Sequence, residues 1–362
     1  MKLIIDCFKL VKGAGKSIGI YNVALNLARN IASGAKEYNM DITILGNEYN
    51  QEDFDIPGVC FVMVDKDPRN KLYCIFWELF DVVKYYKKYK ADVILFPRGY
   101  TTLFHSMNDA IIVHDMIPFY YHHNFPGYFN RLENAYIMNR LKASIKSASK
   151  VITISEASKR DILDITHIDE RKISVINNGR NKIDVMPMEH KDYIVAMTSG
   201  LPHKNAIGVV RSYEEYVKTA MNPLPIKIIG IDDAKQYVTD ESTLDNITCY
   251  KYIKSNEEMH RLIGEAKLFL FLSEIEGFGF PPVEAMELGV PVICSNCSSL
   301  PEVVGDAAVM VDPGDYKAVG RAIDELLHSG NKQKELLVKG LKNIERFGWD
   351  KIAREYVELL VK

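Results

Sequence analysis

Two rhythms alternate along the chain. Short continuous apolar runs recur, and each is followed by a stretch whose apolar positions return with helical period. The runs KLIID (2–6), DITILGN (41–47), VCFVMVDKD (59–67), ADVILFP (91–97), DAIIVHDMIP (109–118), KVITIS (150–155) and ISVINNG (173–179) read as buried strands. Between them, Ile20, Val23, Ala24, Leu27 and Ile31 predict a helix from about Gly19 to Ala32. Phe76, Leu79, Phe80, Val83 and Tyr86 give one apolar face to a helix over 72–90, and a further helix is expected over 128–148. Ser155 stands where an N-cap would open the helix EASKRDILDI. The polar stretch Arg180–Asp192 interrupts the pattern and reads as a hinge. YIVAMTSG (193–200) restarts it, with PIKIIG, NITCYKYI and KLFLFLS (267–273) as further strands. Helices follow Asp315, and the last carries Ile352, Tyr356, Leu359 and Leu360 on an apolar face. Strand–helix alternation in both halves predicts an α/β protein of two domains.

Composition narrows the class. The 362 residues suit two domains of ordinary size, and 47% hydrophobic with 26% charged residues is a globular balance with material for sizeable cores. A formal net charge of −3 leaves no overall basic footprint, so no nucleic-acid partner is expected. No apolar run reaches the length of a membrane span, and Met1 leads straight into a strand. A cytoplasmic protein is expected, with any membrane contact peripheral, at the inner face. Lys84, Lys87, Lys88 and Lys90 crowd the end of the 72–90 helix, which suits its dipole as a solvated tail. The sharper reading is a basic-aromatic surface resting on anionic lipid. Cys294 and Cys297 form a C-x-x-C without a second pair at zinc spacing, so the six cysteines read as reduced, structural thiols.

Candidate chemistry concentrates in SEIEGFGFPPVEAMELGVP (273–291), a strand end, a glycine turn and a helix start. Gly277 and Gly279 let the backbone approach a ligand closely, and the helix start favours an anion. Glu276 and Glu284 flank that anion site, and ionised carboxylates only accept hydrogen bonds. A sugar nucleotide offers both phosphates and hydroxyls. Lys204-Asn205 opens another helix after a strand, a second anion site carrying a lysine. The early loop with Gly13, Gly15 and Gly19 matches neither a dinucleotide fingerprint nor a Walker loop, and alone reads as a surface loop. His114 and Asp115 stand at the carboxyl end of a strand, where open α/β sheets bind ligands. The stretch 117–127, with Tyr120, Tyr121, His122 and His123, reads as a surface loop near that strand end, and adjacent histidines lack the one-face spacing of metal ligands. Asp65 and Asp67 form a D-x-D followed by Pro68, Arg69 and Asn70, a turn composition preferred here over a metal site.

Taken together, these segments resemble family 4 of the retaining, GT-B-fold glycosyltransferases, with its E-x7-E signature. The likeness also runs through IIVHDMIPF (111–119), VITISEASKRDIL (151–163), VINNG (175–179), SGLPHKN (199–205) and CSNCSSLPEVVGDAAVMVDPGD (294–315). The resemblance implies two Rossmann-like domains facing across a cleft: an acceptor-binding domain over 1–183, a nucleotide-sugar-binding domain over 184–347, and a terminal helix over 348–362 crossing back onto the first. It implies transfer of a hexose-type sugar, with retention, from a nucleoside diphosphate sugar to a glycan or lipid-linked oligosaccharide, in surface polysaccharide synthesis and without metal or other cofactor. Glu276, His114 and Lys204 would be catalytic, with Glu276 and His114 at hydroxyls of the donor sugar. Gly19, Ser199, Lys204, Asn205, Gly277, Phe278, Gly279, Phe280 and Glu284 would bind the donor, Glu284 at the ribose and Gly19 beside the diphosphate. Asp115, Tyr120 and Tyr121 would face the acceptor. Two positions depart from the family: His203 replaces the basic residue before the lysine, and Thr198 stands where many members carry arginine. They keep open a non-catalytic nucleotide-sugar-binding partner subunit. A third reading, a metal-dependent transferase centred on Asp65 and Asp67, is separated by its sensitivity to chelator.

Overall fold

The computed structural model describes residues 1–13, 18–103, 107–184 and 188–361. Gly15 of the early loop and the middle of the expected hinge lie outside the described residues. The chain divides into two units, Met1–Asn181 with Phe347–Lys362, and Lys182–Arg346.

The first unit is built on a seven-stranded sheet. Its strands are β1 (Lys2–Asp6), β2 (Asp41–Gly46), β3 (Cys60–Met63), β4 (Val93–Phe96), β5 (Asp109–Val113), β6 (Lys150–Thr153) and β7 (Ile173–Val175). Their order is β3-β2-β1-β4-β5-β6-β7, and each neighbouring pair is parallel. Helices cover both faces of such a sheet, so its central strands are apolar at every position rather than at alternate ones; β4 and β5 are buried along their whole length. The strand order reverses between β1 and β4, the crevice at which open sheets bind ligands.

The terminal helix Trp349–Val361 belongs to this unit and packs on the helix Ile18–Gly34. It buries Ile352, Ala353, Tyr356, Val357 and Leu360. Its start is held by Trp349 Nε1 donating to Asn181 Oδ1 at 3.1 Å, and by Arg180 N donating to Phe347 O at 2.8 Å. Gly179 makes room for the indole, because a Cβ there would lie 2.2 Å from Trp349 Cδ2.

Two expected segments differ. The 72–90 helix is not uniform: α-helix Lys71–Phe76 passes into a π-helical stretch, Trp77–Asp81, before Val82–Lys88 resumes. The wider turn shifts the face that a 3.6-residue period projects. Cys74, Trp77, Glu78, Val82 and Val83 turn inward, while Phe76 and Phe80 are 46% and 40% exposed. The expected loop 117–127 is a helix over Ile117–Asn124, with Asp115 Oδ1 accepting from Ile117 N at 3.0 Å at its start.

The second unit carries β8 (Lys191–Met197), β9 (Ile226–Ile229), β10 (Ile247–Tyr250), β11 (Ala266–Phe271), β12 (Val292–Ser295) and β13 (Val309–Val311). All pairs are parallel in the order β10-β9-β8-β11-β12-β13, the doubly wound arrangement with its reversal between β8 and β11.

Candidate functional site

In the second unit the loops leaving β8 and β11 hold the expected residues together. After β8 the chain makes a short 3-10 turn, Pro202–Lys204, then the helix Ala206–Thr219. Asn205 joins them in a left-handed conformation at φ 54°. Its side chain accepts from Gly208 N at 2.9 Å and donates to Leu272 O and Pro313 O at 3.2 and 3.3 Å. That amide is therefore committed to the protein's own backbone, and Asn205 shapes the turn rather than offering a side chain to the donor. Thr198 is buried, and its hydroxyl donates to Lys204 O at 2.6 Å. At the position where the resemblance implies an arginine, Thr198 braces the lysine turn. His203 is buried, and burial, with the Lys204 charge adding to it, pushes its imidazole down to about 4. It brings no positive charge to the turn. Ser199 Oγ accepts from Leu201 N at 3.3 Å. Lys204 Nζ reaches Glu276 Oε1 at 2.6 Å.

The turn carrying Glu276 is latched from a neighbouring loop. Ser298 Oγ donates to Glu276 O at 2.8 Å and accepts from Glu276 N at 3.1 Å; Ser299 Oγ lies 2.9 Å from both Glu276 O and Phe278 O. Both serines lie in the CSNCSSLPEVVGDAAVMVDPGD segment, but nothing in the sequence assigns them this role, because their partner turn is more than twenty positions away. Phe278 is buried and its ring packs on Phe280 at 5.1 Å. Gly279 takes φ 103° at the start of the helix Phe280–Glu287, where a Cβ would meet Leu300 Cδ2 at 2.5 Å. Pro281 and Pro282 carry no N–H, so the amides of the glycine turn become the main donors at this helix start. The carboxylate of Glu284, one turn into the helix, accepts no hydrogen bond among the described residues, whereas its backbone carbonyl accepts from Leu288 N at 2.9 Å. Burial, reinforced by Glu287 nearby, pushes its carboxyl up to about 7.

In the first unit, His114 leaves the end of β5 beside a cavity of about 370 Å³ lined also by Ile20, Arg98, Tyr100, Asp115 and Phe129. Its Nε2 lies 2.8 Å from Pro97 O, an atom that can only accept. The proton therefore sits on Nε2, and Nδ1 keeps a free lone pair in the neutral ring. Burial, with the Arg98 charge adding to it, pushes this imidazole down to about 4. Tyr120 is half-buried, but Tyr121 is only 1% exposed, packed against Phe125, Tyr128 and Phe129 at ring separations of 5.5, 5.1 and 4.8 Å. Tyr121 fills a local aromatic core instead of facing an acceptor. Gly19 is exposed within the first turn of its helix, with open space where a Cβ would point. Asp67 is tied to Arg69 in an exposed turn, its Oδ1 accepting from Arg69 Nε at 2.9 Å.

Two doubly wound parallel α/β units are the architecture of the GT-B fold of glycosyltransferases. The structure of the lipopolysaccharide outer core galactosyltransferase WaaB superposes with a TM-score of 0.71 at 14% identity over 99% of both chains. Anabaena Alr3699/HepE, in complex with UDP and glucose, does so with a TM-score of 0.71 at 15% identity over 100% of this chain and 99% of its own. The model of Glycosyltransferase Family 4 matches residues 19–182, and that of Glycosyl transferases group 1 matches residues 180–342. The chain belongs to glycosyltransferase family 4. O-antigen chain mannosyltransferase RfbU of Salmonella typhimurium is 33% identical over 225 residues, 60% of this chain and 61% of that protein. O-antigen chain mannosyltransferase B of Escherichia coli is 26% identical over 249 residues, 64% of this chain and 65% of that protein. The chain thus matches less than two thirds of the length of either relative.

Proposed function

We propose that this protein transfers a hexose-type sugar from a nucleoside diphosphate sugar to a hydroxyl of a glycan or lipid-linked oligosaccharide, in surface polysaccharide synthesis. The observation that carries the reading is the Lys204–Glu276 pair at the β8–β11 reversal, beside a glycine turn latched in place. The first domain, 1–183, takes the acceptor, and the second, 184–347, takes the donor. The donor's diphosphate draws Lys204 away from Glu276, and the freed carboxylate receives hydroxyls of the sugar. Lys204 and the amides of Gly277–Gly279 stabilise the charge that builds on the leaving diphosphate, the term that usually dominates such sites. Glu284 accepts hydroxyls of the ribose. His114 offers Nδ1 to a sugar hydroxyl. Transfer proceeds with retention by a front-face route, in which the departing phosphate oxygen takes the acceptor's proton, and it needs no metal. The names of the relatives make a mannosyl nucleotide the first donor to test.

The test is slow hydrolysis of GDP-mannose and of the UDP-hexoses by the pure protein, with and without chelator. Hydrolysis of one donor, unaffected by chelator and abolished by Glu276→Ala, supports the reading. Donor binding without turnover, on any donor and with any added glycan, would favour the partner-subunit alternative, to which the single-cation clamp left by Thr198 and neutral His203 points.

A further inference from the structure

The first unit contains a cluster of charge that the transfer reaction leaves unused. It lies at the β1–β4 reversal, where the loops after both strands line a cavity of about 710 Å³, within the usual range for small-molecule sites. Lys9 comes from the loop after β1, Arg98 from the loop after β4, and Arg140 from the helix Arg131–Ser147. Glu78 faces them from the π-helical stretch, a distortion frequent at functional sites.

The charges do not balance. Of the cations lining the cavity, Lys71 is matched by Glu133 and Arg69 by Asp67. Lys9, Arg98 and Arg140 are left to share Glu78. Glu78 is 5% exposed and pairs with Lys9, and its Oε2 lies 3.7 Å from Arg140 Nε. Arg98 has no carboxylate within ion-pair distance among the described residues; its Nη1 donates to Lys9 O at 2.7 Å. Asp6, the other acid close to Lys9, is outside the cavity wall and accepts from Trp77 Nε1 and Phe8 N. Arg140 is 6% exposed, and both its Nε and that of Arg98 are buried without a hydrogen-bond partner. Arg140 is held by its own chain, Nη1 donating to Ser144 Oγ at 2.7 Å and Nη2 to Thr101 O, while Lys9 and Arg98 are only partly buried. Three cations around one carboxylate leave excess positive charge on the cavity wall, which an anion in the cavity would offset. Guanidinium groups match the oxygens of phosphate in a fork geometry.

We propose that this cavity is a binding site for a phosphate ester, with Lys9, Arg98 and Arg140 as its donors and Glu78 as the group that holds two of them in place. More than one positive charge lacks a partner, which favours a multiply charged anion such as a diphosphate over a carboxylate. Leu132 and Tyr136, 83% and 43% exposed, stand at the rim, and Leu72, 80% exposed, is on the helix that carries the wall residue Cys74. An apolar chain attached to the phosphate would cover them. The site goes beyond the transfer reaction and involves neither Lys204 nor Glu276, so its failure and that of the transferase reading are separable.

The test is calorimetric titration of the full-length chain with inorganic diphosphate. Because Lys204 is expected to bind diphosphate too, the measurement is made on Lys204→Ala. Binding that persists there and weakens at least tenfold when Arg98→Gln is added, with an unchanged melting temperature of the free protein, supports the site. No binding to Lys204→Ala, or equal affinity with and without Arg98→Gln, overturns it. Should Arg98→Gln fail to fold, Lys9→Met takes its place with the same readings. Farnesyl diphosphate then separates the sources: tenfold tighter binding than inorganic diphosphate supports an isoprenoid-linked ligand, equal affinity supports a water-soluble one, and both uphold the site.

Discussion

Lys204 Nζ and Glu276 Oε1, 72 positions apart in sequence, meet at 2.6 Å, and both side chains keep some contact with solvent. The pair satisfies itself while no ligand is bound. In the proposed reaction each partner serves a different part of a sugar nucleotide, the cation the phosphate and the anion the hydroxyls. Two opposite charges held together in this way prevent the turn from carrying an isolated buried charge.

Substituting either member is expected to slow transfer strongly. Lys204→Ala and Glu276→Ala should each lower kcat/KM by roughly 10²- to 10³-fold, the size of effect seen when one preorganised charge-stabilising group is removed. Because the two side chains touch, the double variant should lose less than the product of the single losses. Steady-state kinetics of the four proteins with one donor decide it; strictly multiplicative losses would show that the pair does not act as a unit.

Glu284 predicts a pH dependence. Its carboxyl is pushed from 4.5 up to about 7 in the folded protein by burial and by Glu287. Below about pH 4.5 the group is protonated folded or unfolded and carries no penalty. As pH rises through about 7 the native protein must bear a desolvated charge, so stability is lost in that window. Glu284→Gln should therefore melt higher than the parent at pH 8 and level with it at pH 4. Hydroxyls donated by a ribose favour the ionised form, so nucleotide affinity should rise from pH 6 to pH 8 in the parent and stay flat in Glu284→Gln. A parent affinity that does not change over this range would remove the ribose assignment.

His114 should remain neutral well below the usual histidine range, with its proton on Nε2 facing Pro97 O. A base whose folded pKa is depressed to about 4 costs stability as pH falls from 6.5 toward 4, because the unfolded chain takes the proton first. Ring nitrogen shifts in NMR read this directly. An imidazolium at pH 6, or a proton on Nδ1, would contradict the geometry.

The π-helical stretch yields a contrast between neighbours. Glu78→Ala leaves Lys9 and Arg140 without their carboxylate and should destabilise the protein by about 3–5 kcal/mol. Trp77→Ala, emptying a fully buried indole site, should cost about as much, roughly 3–5 kcal/mol. Phe76→Ser, at a position 46% exposed, should cost less than about 1 kcal/mol. Denaturant unfolding of the three variants checks the order, and a large loss at Phe76 would restore the uniform helix that the sequence period suggests.

Much of the candidate site was visible in the local pattern of residues. The glycine turn between Glu276 and Glu284, the lysine after β8 and the histidine after β5 stand where strand ends can be read from apolar runs. Other features were hidden because they depend on remote partners. Thr198 looked like a lost arginine, yet its hydroxyl holds Lys204 O. His203 stood out as a departure from a basic residue, and burial, a tertiary effect, keeps it neutral. Tyr121 looked like a surface aromatic, yet three other rings enclose it.

By itself the sequence determined the alternation of strands and helices, the two halves and the kinds of side chain at the strand ends. Those depend on period and on turn chemistry, which act over a few neighbouring residues. Only the tertiary structure decided that Lys204 meets Glu276, that Ser298 and Ser299 latch the glycine turn, and that Glu78 turns inward to Lys9. Ion pairing and burial are set by which distant segments pack together, and one widened helical turn is enough to exchange the faces that a regular period assigns.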